Sequence, residues 1–239
     1  MSEAIGRVYF PGNPWPDGHP LEAFEWTARF VPGSGIWFDF HLETIEFRNV
    51  DPPEGYEEPQ EEDYENERYD WECTDLWQNY SRSIISSSFY AIDIKDANGK
   101  PGFLAATPAN PLDLSGPLDL TADPAPEDPN DWPRAFGAYI LGHDAVADHR
   151  FELIPLKGPG DKDHWSIKWS GKIALVYGGS TLGFAFEFRA EVPRALFGGI
   201  RLPDAEPETL EACRTCLADP EGFETVEVDG EVWMKPKQS

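Results

Sequence analysis

Two histidines and two aspartates fall within eight residues, in the run Gly142-His143-Asp144-Ala145-Val146-Ala147-Asp148-His149. Imidazole and carboxylate are ligands that Zn, Mn or Fe would take. The spacing matches no recognised ligand pattern. A polar turn between strands is therefore the preferred reading, and no metal is expected. Asp39, His41 and Glu43 form a second constellation on one strand face. Two carboxylates beside an imidazole can shift its pKa or position it as a general base. No Ser or Cys nucleophile stands at a telling position beside them, and no Gly-x-Ser-x-Gly occurs. The face reads as solvated, with a cross-strand ion pair. Cys213-Arg214-Thr215-Cys216 is a CxxC, but it falls inside a predicted helix rather than at its N-terminus, where the dipole would lower a thiol pKa. Zinc would need a second ligand pair, and only Cys73 remains. Cys213 shares a face with Leu210 and Leu217, so it is expected in the core. No cofactor motif of the P-loop or GxGxxG kind is present.

The most informative stretch is 51–75, DPPEGYEEPQEEDYENERYDWECTD. Twelve of its 25 residues are Asp or Glu, and Arg68 is its one base. Tyr56, Tyr64, Tyr69 and Trp71 are set among the acids, and a plain solubilising loop has no need of aromatics. An acidic, aromatic-studded segment suits docking on something basic. Charge would give attraction at range, and buried rings would give affinity at contact. The residues expected to touch a partner are Glu57, Glu58, Glu61, Glu62, Asp63, Tyr64, Glu65, Tyr69 and Trp71.

Charge sets the class of partner. The chain of 239 residues carries 44 acids against 19 bases, a formal −25. Such a field repels nucleic acid and anionic membrane and attracts basic proteins. No apolar run approaches the length of a membrane span. An odd count of three cysteines argues for a reducing compartment. The expected location is the cytoplasm.

These groups need a scaffold, and the periodicity predicts a β one. In 22–31 the apolar side chains Phe24, Trp26, Ala28 and Phe30 alternate with Glu25, Thr27 and Arg29. After Pro32-Gly33-Ser34-Gly35, residues 36–47 alternate again. Placing Phe30 opposite Phe38 would set Arg29 against Asp39 and Thr27 against His41. Residues 164–177 and 181–192 alternate with opposite parity around Gly178-Gly179-Ser180. A four-residue loop would pair Tyr177 with Leu182, Lys172 with Glu187 and Lys168 with Glu191, avoiding like charges. Further strands are predicted at 83–94, 103–106, 135–141 and 150–156, with Asn98-Gly99 as a turn. A turn of helix is predicted near 61–69 and a short helix over 207–218. A hairpin turning at Asp229-Gly230 joins 224–228 to 231–234. Residues 107–133, Pro- and Asp-rich with PLDL at 111–114 and 117–120, read as an extended surface connection.

The expectation is a single mainly-β domain over 1–239, an antiparallel β-sandwich or strongly curved sheet with one or two short helices. The expected function is that of an acidic protein-binding inhibitor, an immunity protein or antitoxin neutralising a basic toxin, rather than an enzyme. The alternatives are a metal-dependent hydrolase using the 143–149 run, and a small-molecule- or carbohydrate-binding β-sandwich.

Overall fold

Alternating side chains fold here into an antiparallel, mainly-β structure. The computed structural model describes residues 5–59, 67–87, 102–128, 131–133, 135–158, 163–175 and 183–237. In chain order the strands are β1 Arg7–Tyr9, β2 His19–Val31, β3 Gly35–Thr44, β4 Ile84–Ser86, β5 Phe103–Ala106 and β6 Leu118–Ala122. They continue as β7 Gly137–Tyr139, β8 His143–Pro155, β9 His164–Ala174, β10 Phe186–Leu202, β11 Phe223–Val228 and β12 Glu231–Pro236. Among the described residues three short helices accompany them: α1 Glu67–Glu72, α2 Thr74–Asn79 and α3 Pro207–Arg214.

The strands form one hydrogen-bonded path, β1-β2-β3-β4-β7-β8-β9-β10-β12-β11, and β10 returns to pair with both β1 and β2. The sheet therefore closes on itself in a sandwich-like form. Two long strands make the corners. β8 shifts register between Ala147 and Arg150, where Asp148 has a φ of +52°. β10 shifts between Val192 and Ala195, beside Pro193, and again between Phe197 and Ile200. A bulge bends a strand, so each can serve both layers. As far as Leu196, β10 pairs with β1 and β9; from Phe197 on it pairs with β2 and β12.

Rings from most of the strands meet inside. Phe40 stacks on Phe151 at 4.5 Å and lies 5.8 Å from Trp169, while Trp26 meets Trp165 edge-on at 5.4 Å. Phe103 stacks on Phe151 at 5.2 Å. All are buried. Aromatic side chains have the size to span a closed sheet, and offset or edge contacts add to their area burial.

The β9–β10 register is as expected, with Lys172 opposite Glu187 and Lys168 opposite Glu191. Tyr177, Gly178-Gly179-Ser180 and Leu182 lie outside the described residues, as do Asn98-Gly99 and the predicted strand beyond Ser87. The β2–β3 register differs by two residues. Phe30 faces Ile36, Ala28 faces Phe38 and Thr27 faces Asp39. The loop is only 32–34, because Gly33 and Gly35 take φ of +75° and +134° and let the chain reverse sooner. β3 also stops at Thr44, and Phe47 enters a 3-10 turn instead of extending the strand.

Three other expectations need correction. The 107–133 connection contains a strand, β6, which pairs with β8 from Leu118↔Leu153 to Ala122↔His149. Helix α3 ends at Arg214, earlier than expected. The following backbone pairs with the first PLDL, with Leu112 N–H donating to the Cys216 carbonyl at 2.8 Å. The 143–149 run is no turn but the first half of β8. At the C-terminal hairpin, Asp229 and Gly230 both have positive φ, as a two-residue turn of type I′ requires.

Phe40 meets the rings of Phe24, Trp26, Phe38, Phe103, Phe151 and Trp169, so Phe40→Ala should lower unfolding free energy by about 3–5 kcal/mol in a urea titration. A loss under about 1 kcal/mol would mean that the interior is not close-packed around this ring.

Candidate functional site

The acidic segment leaves β3 through the 3-10 turn Phe47–Asn49 and returns to β4 through α1 and α2. Its attachment is aromatic. Trp71 is 2% exposed, stacks on Phe186 at 4.4 Å, and donates its indole N–H to the Pro11 carbonyl at 2.9 Å. Trp77, also buried, donates to the Trp71 carbonyl at 2.8 Å and stacks on the His19 ring at 5.8 Å. Trp15 donates to the Asp51 carbonyl at 3.1 Å. Phe10, Trp15, His19, Phe47, Trp71 and Trp77 thus make one ring cluster that grips both ends of the segment.

Polar contacts finish the attachment. The Tyr56 hydroxyl donates to the Glu72 carbonyl across the segment. Burial, with the Glu58 and Glu72 charges added, pushes this phenol up to about 12, so it stays a donor. The Thr74 N–H, at the start of α2, donates to a Glu58 carboxylate oxygen at 3.1 Å. The one base, Arg68, pairs with Glu72 at 2.6 Å, four residues on. With the rings turned inward, Asp51, Glu54, Glu57, Glu58 and Asp75 are exposed.

The expected contact residues divide accordingly. Glu57 and Glu58 are exposed, and Tyr69 is half-buried. Glu61, Glu62, Asp63, Tyr64 and Glu65 lie outside the described residues. Trp71 is not available to a partner, since its ring is spent on Phe10, Trp77 and Phe186. Its role is to anchor the segment. Trp77, Trp15 and Phe186 share that role and were not singled out from sequence; Trp77, six residues after Trp71, was the available signal.

The Asp39–His41–Glu43 face is organised by arginines. Asp39 accepts from Arg29 at 2.5 Å and from the Ser87 hydroxyl at 3.2 Å. Burial holds its carboxyl above the ordinary value, although Arg29 pulls the other way. Arg82 reaches Glu22 at 2.7 Å and Glu46 at 3.4 Å and also bonds Glu43. His41 lies 3.7 Å from Glu43. The carboxylates are thus committed to guanidinium partners.

The four residues of the 143–149 run do separate jobs. His143 is exposed. Asp144 is buried and accepts the Leu141 N–H at 2.9 Å. Asp148 accepts from the Ala125 N–H at 2.8 Å and pairs with Lys172 at 2.9 Å. These contacts hold its pKa below the carboxylate range, the Ala125 bond most of all. His149 is buried and accepts the Trp169 indole N–H at 3.1 Å through Nδ1. Among the described residues no three His, Cys, Asp or Glu side chains converge as metal ligands. Cys213 and Cys216 are buried and free, and burial pushes the Cys213 thiol up to about 12. A thiol so disposed is a poor nucleophile.

No helix among the described residues is long and apolar enough to cross a membrane. Comparison with known proteins finds no matching family model, no similar curated protein and no similar solved structure.

Trp71→Ala should cost about 3–5 kcal/mol of stability through the cavity it leaves, read by chemical denaturation. A near-neutral effect would detach the ring from the core. Acid should also weaken the fold. Burial lowers the pKa of His149 to about 3 and of His19 to about 4, against an ordinary 6.5. The unfolded chain then binds protons that the folded one refuses, so stability falls as pH drops from 6.5 towards those values. In His149→Leu the decline of the urea midpoint over that interval should be shallower than in the wild type. An identical slope would mean that His149 is not held neutral.

Proposed function

We propose that this chain is an acidic protein-binding inhibitor whose 51–75 segment docks on a basic protein. In its sharper form, it is an immunity protein or antitoxin that neutralises a basic toxin in a reducing cytoplasm. The observation that carries the reading is the attachment of the acidic segment. Trp71 and Trp77 point inward and lock it to the sheet, while Glu54, Glu57, Glu58 and Asp75 face solvent. Carboxylates held on a fixed scaffold lose less freedom on binding than carboxylates on a loose tail. A charge of −25 steers a basic partner inward and discourages nucleic acid itself. An enzyme that handles nucleic acid has the positive cleft such a surface would fill. With Trp71 committed to the interior, short-range contact falls to Tyr64, Tyr69 and the acids around them.

The test combines affinity capture from the native cell with stopped-flow association. Glu54, Glu57 and Asp75 are exposed, and changing them removes none of the bonds that attach the segment. The triple change to Lys should leave the melting transition intact. It should slow association with the captured partner by about tenfold or more at low salt, with a smaller effect at high salt. An acidic partner, or an association rate unchanged at low salt, would overturn the proposal.

A further inference from the structure

Six of the nine tryptophans are buried. Two of the others, Trp37 and Trp233, belong to one row of residues crossing four neighbouring strands. Trp37 on β3 faces Arg29 on β2, Arg29 faces Arg201 on β10, and Arg201 faces Trp233 on β12. Like charges directly opposite on paired strands are unfavourable. Closure of the sheet does not call for two arginines here, because the interior behind them is made by Ala28, Ile200 and Met234.

The row borders a groove. Gly198 and Gly199, at the second bulge of β10, let that strand approach β2 and β12 closely. A Cβ on Gly198 would meet Thr27 Cγ2 at 2.8 Å, and one on Gly199 would meet the Met234 carbonyl at 2.8 Å. Arg201 lines two clefts. One, of about 200 Å³, is bounded by Thr27, Asp39, His41, Ser87 and Trp233. The other, of about 410 Å³, runs towards Asp204, Gly230 and Glu231. The charges are matched: Arg29 holds Asp39 at 2.5 Å, and Arg201 holds Glu231 at 3.0 Å. Arg201 is nonetheless 48% exposed.

We propose that this groove is a binding site for a neutral saccharide, centred on Arg201 and Trp233. A small-molecule site combines an apolar wall with a few fixed polar groups. Here the wall is the Trp233 indole, with the Lys235 ammonium over one of its faces at 5.8 Å. The polar groups are the Arg201 guanidinium, the exposed Glu25 carboxylate, the His41 imidazole and the Thr27 hydroxyl, whose donors and acceptors can meet the alternating hydroxyls of a sugar. Charge argues for neutrality. A molecule at −25 repels an anion, and a cation would be set against Arg201. This site is independent of the acidic segment, and neither proposal needs the other.

The Trp233 indole N–H signal in the full chain, assigned by its loss in Trp233→Phe, reports on the groove. Titration with glucose, galactose, maltose and cellobiose should move it saturably for at least one sugar, with a Kd of about 1 mM or below. Arg201→Ala should weaken that sugar by about tenfold or more. Arg201→Lys keeps the charge opposite Glu231 but not the planar fork, and should weaken it as well. Thermal melts would show both variants folded. Three results would overturn the proposal: no sugar of the four moving the signal, both arginine variants binding like the wild type, or tighter binding of glucuronate or glucosamine than of any neutral sugar.

Discussion

Pairing of β2 with the second half of β10 turns a long sheet into a closed structure. Among the named strands of the described residues it is the parallel pair, the others being antiparallel, with Trp26 opposite Phe197 and Arg29 opposite Arg201. Without it β2 would present an open edge, and unpaired strand edges invite association with other chains. The ring core depends on the same closure, since Trp26 reaches Trp165 and Phe197 only when the sheet has curled round. Both candidate sites are also downstream of it. Trp71 anchors the acidic segment on Phe186 at the start of β10, and the Arg201 groove opens at its end.

Local patterns in the chain foretold local structure well. The β9–β10 hairpin was readable because period-2 alternation and two Lys–Glu pairs agree on a single register. The β11–β12 hairpin followed from Asp229-Gly230. The β2–β3 register was not readable, because alternation gives the same faces for any even slip, and loop geometry decides among them. Arg29 and Asp39 still meet, but diagonally. Polar residues misled in β8, where Asp144 and His149 look like a solvated turn yet are buried with dedicated partners. Trp71 misled because an aromatic amid acids can face either a partner or its own core. Composition does not say which. The Arg201 groove was out of reach of sequence, since its walls come from strands far apart in the chain.

Excess negative charge is handled by concentration and by pairing. Arg82 gathers Glu22, Glu43 and Glu46, so the strand face beside the acidic segment is partly neutralised. Such pairs are worth little each when exposed, but they keep a sheet surface from repelling itself. Within 51–75 the chain does the opposite and gives twelve acids a single arginine. That asymmetry concentrates negative charge in one segment of the chain.

Late closure shapes how the protein can be made. Phe197 follows its partner Trp26 by 171 residues, so a growing chain carries an unsatisfied Trp26–Phe40 hairpin until that part of β10 emerges. At about 5–20 residues per second the wait is roughly ten to thirty seconds. Long-range pairing of this kind folds slowly, and a hairpin exposed that long is a natural client for a ribosome-associated chaperone.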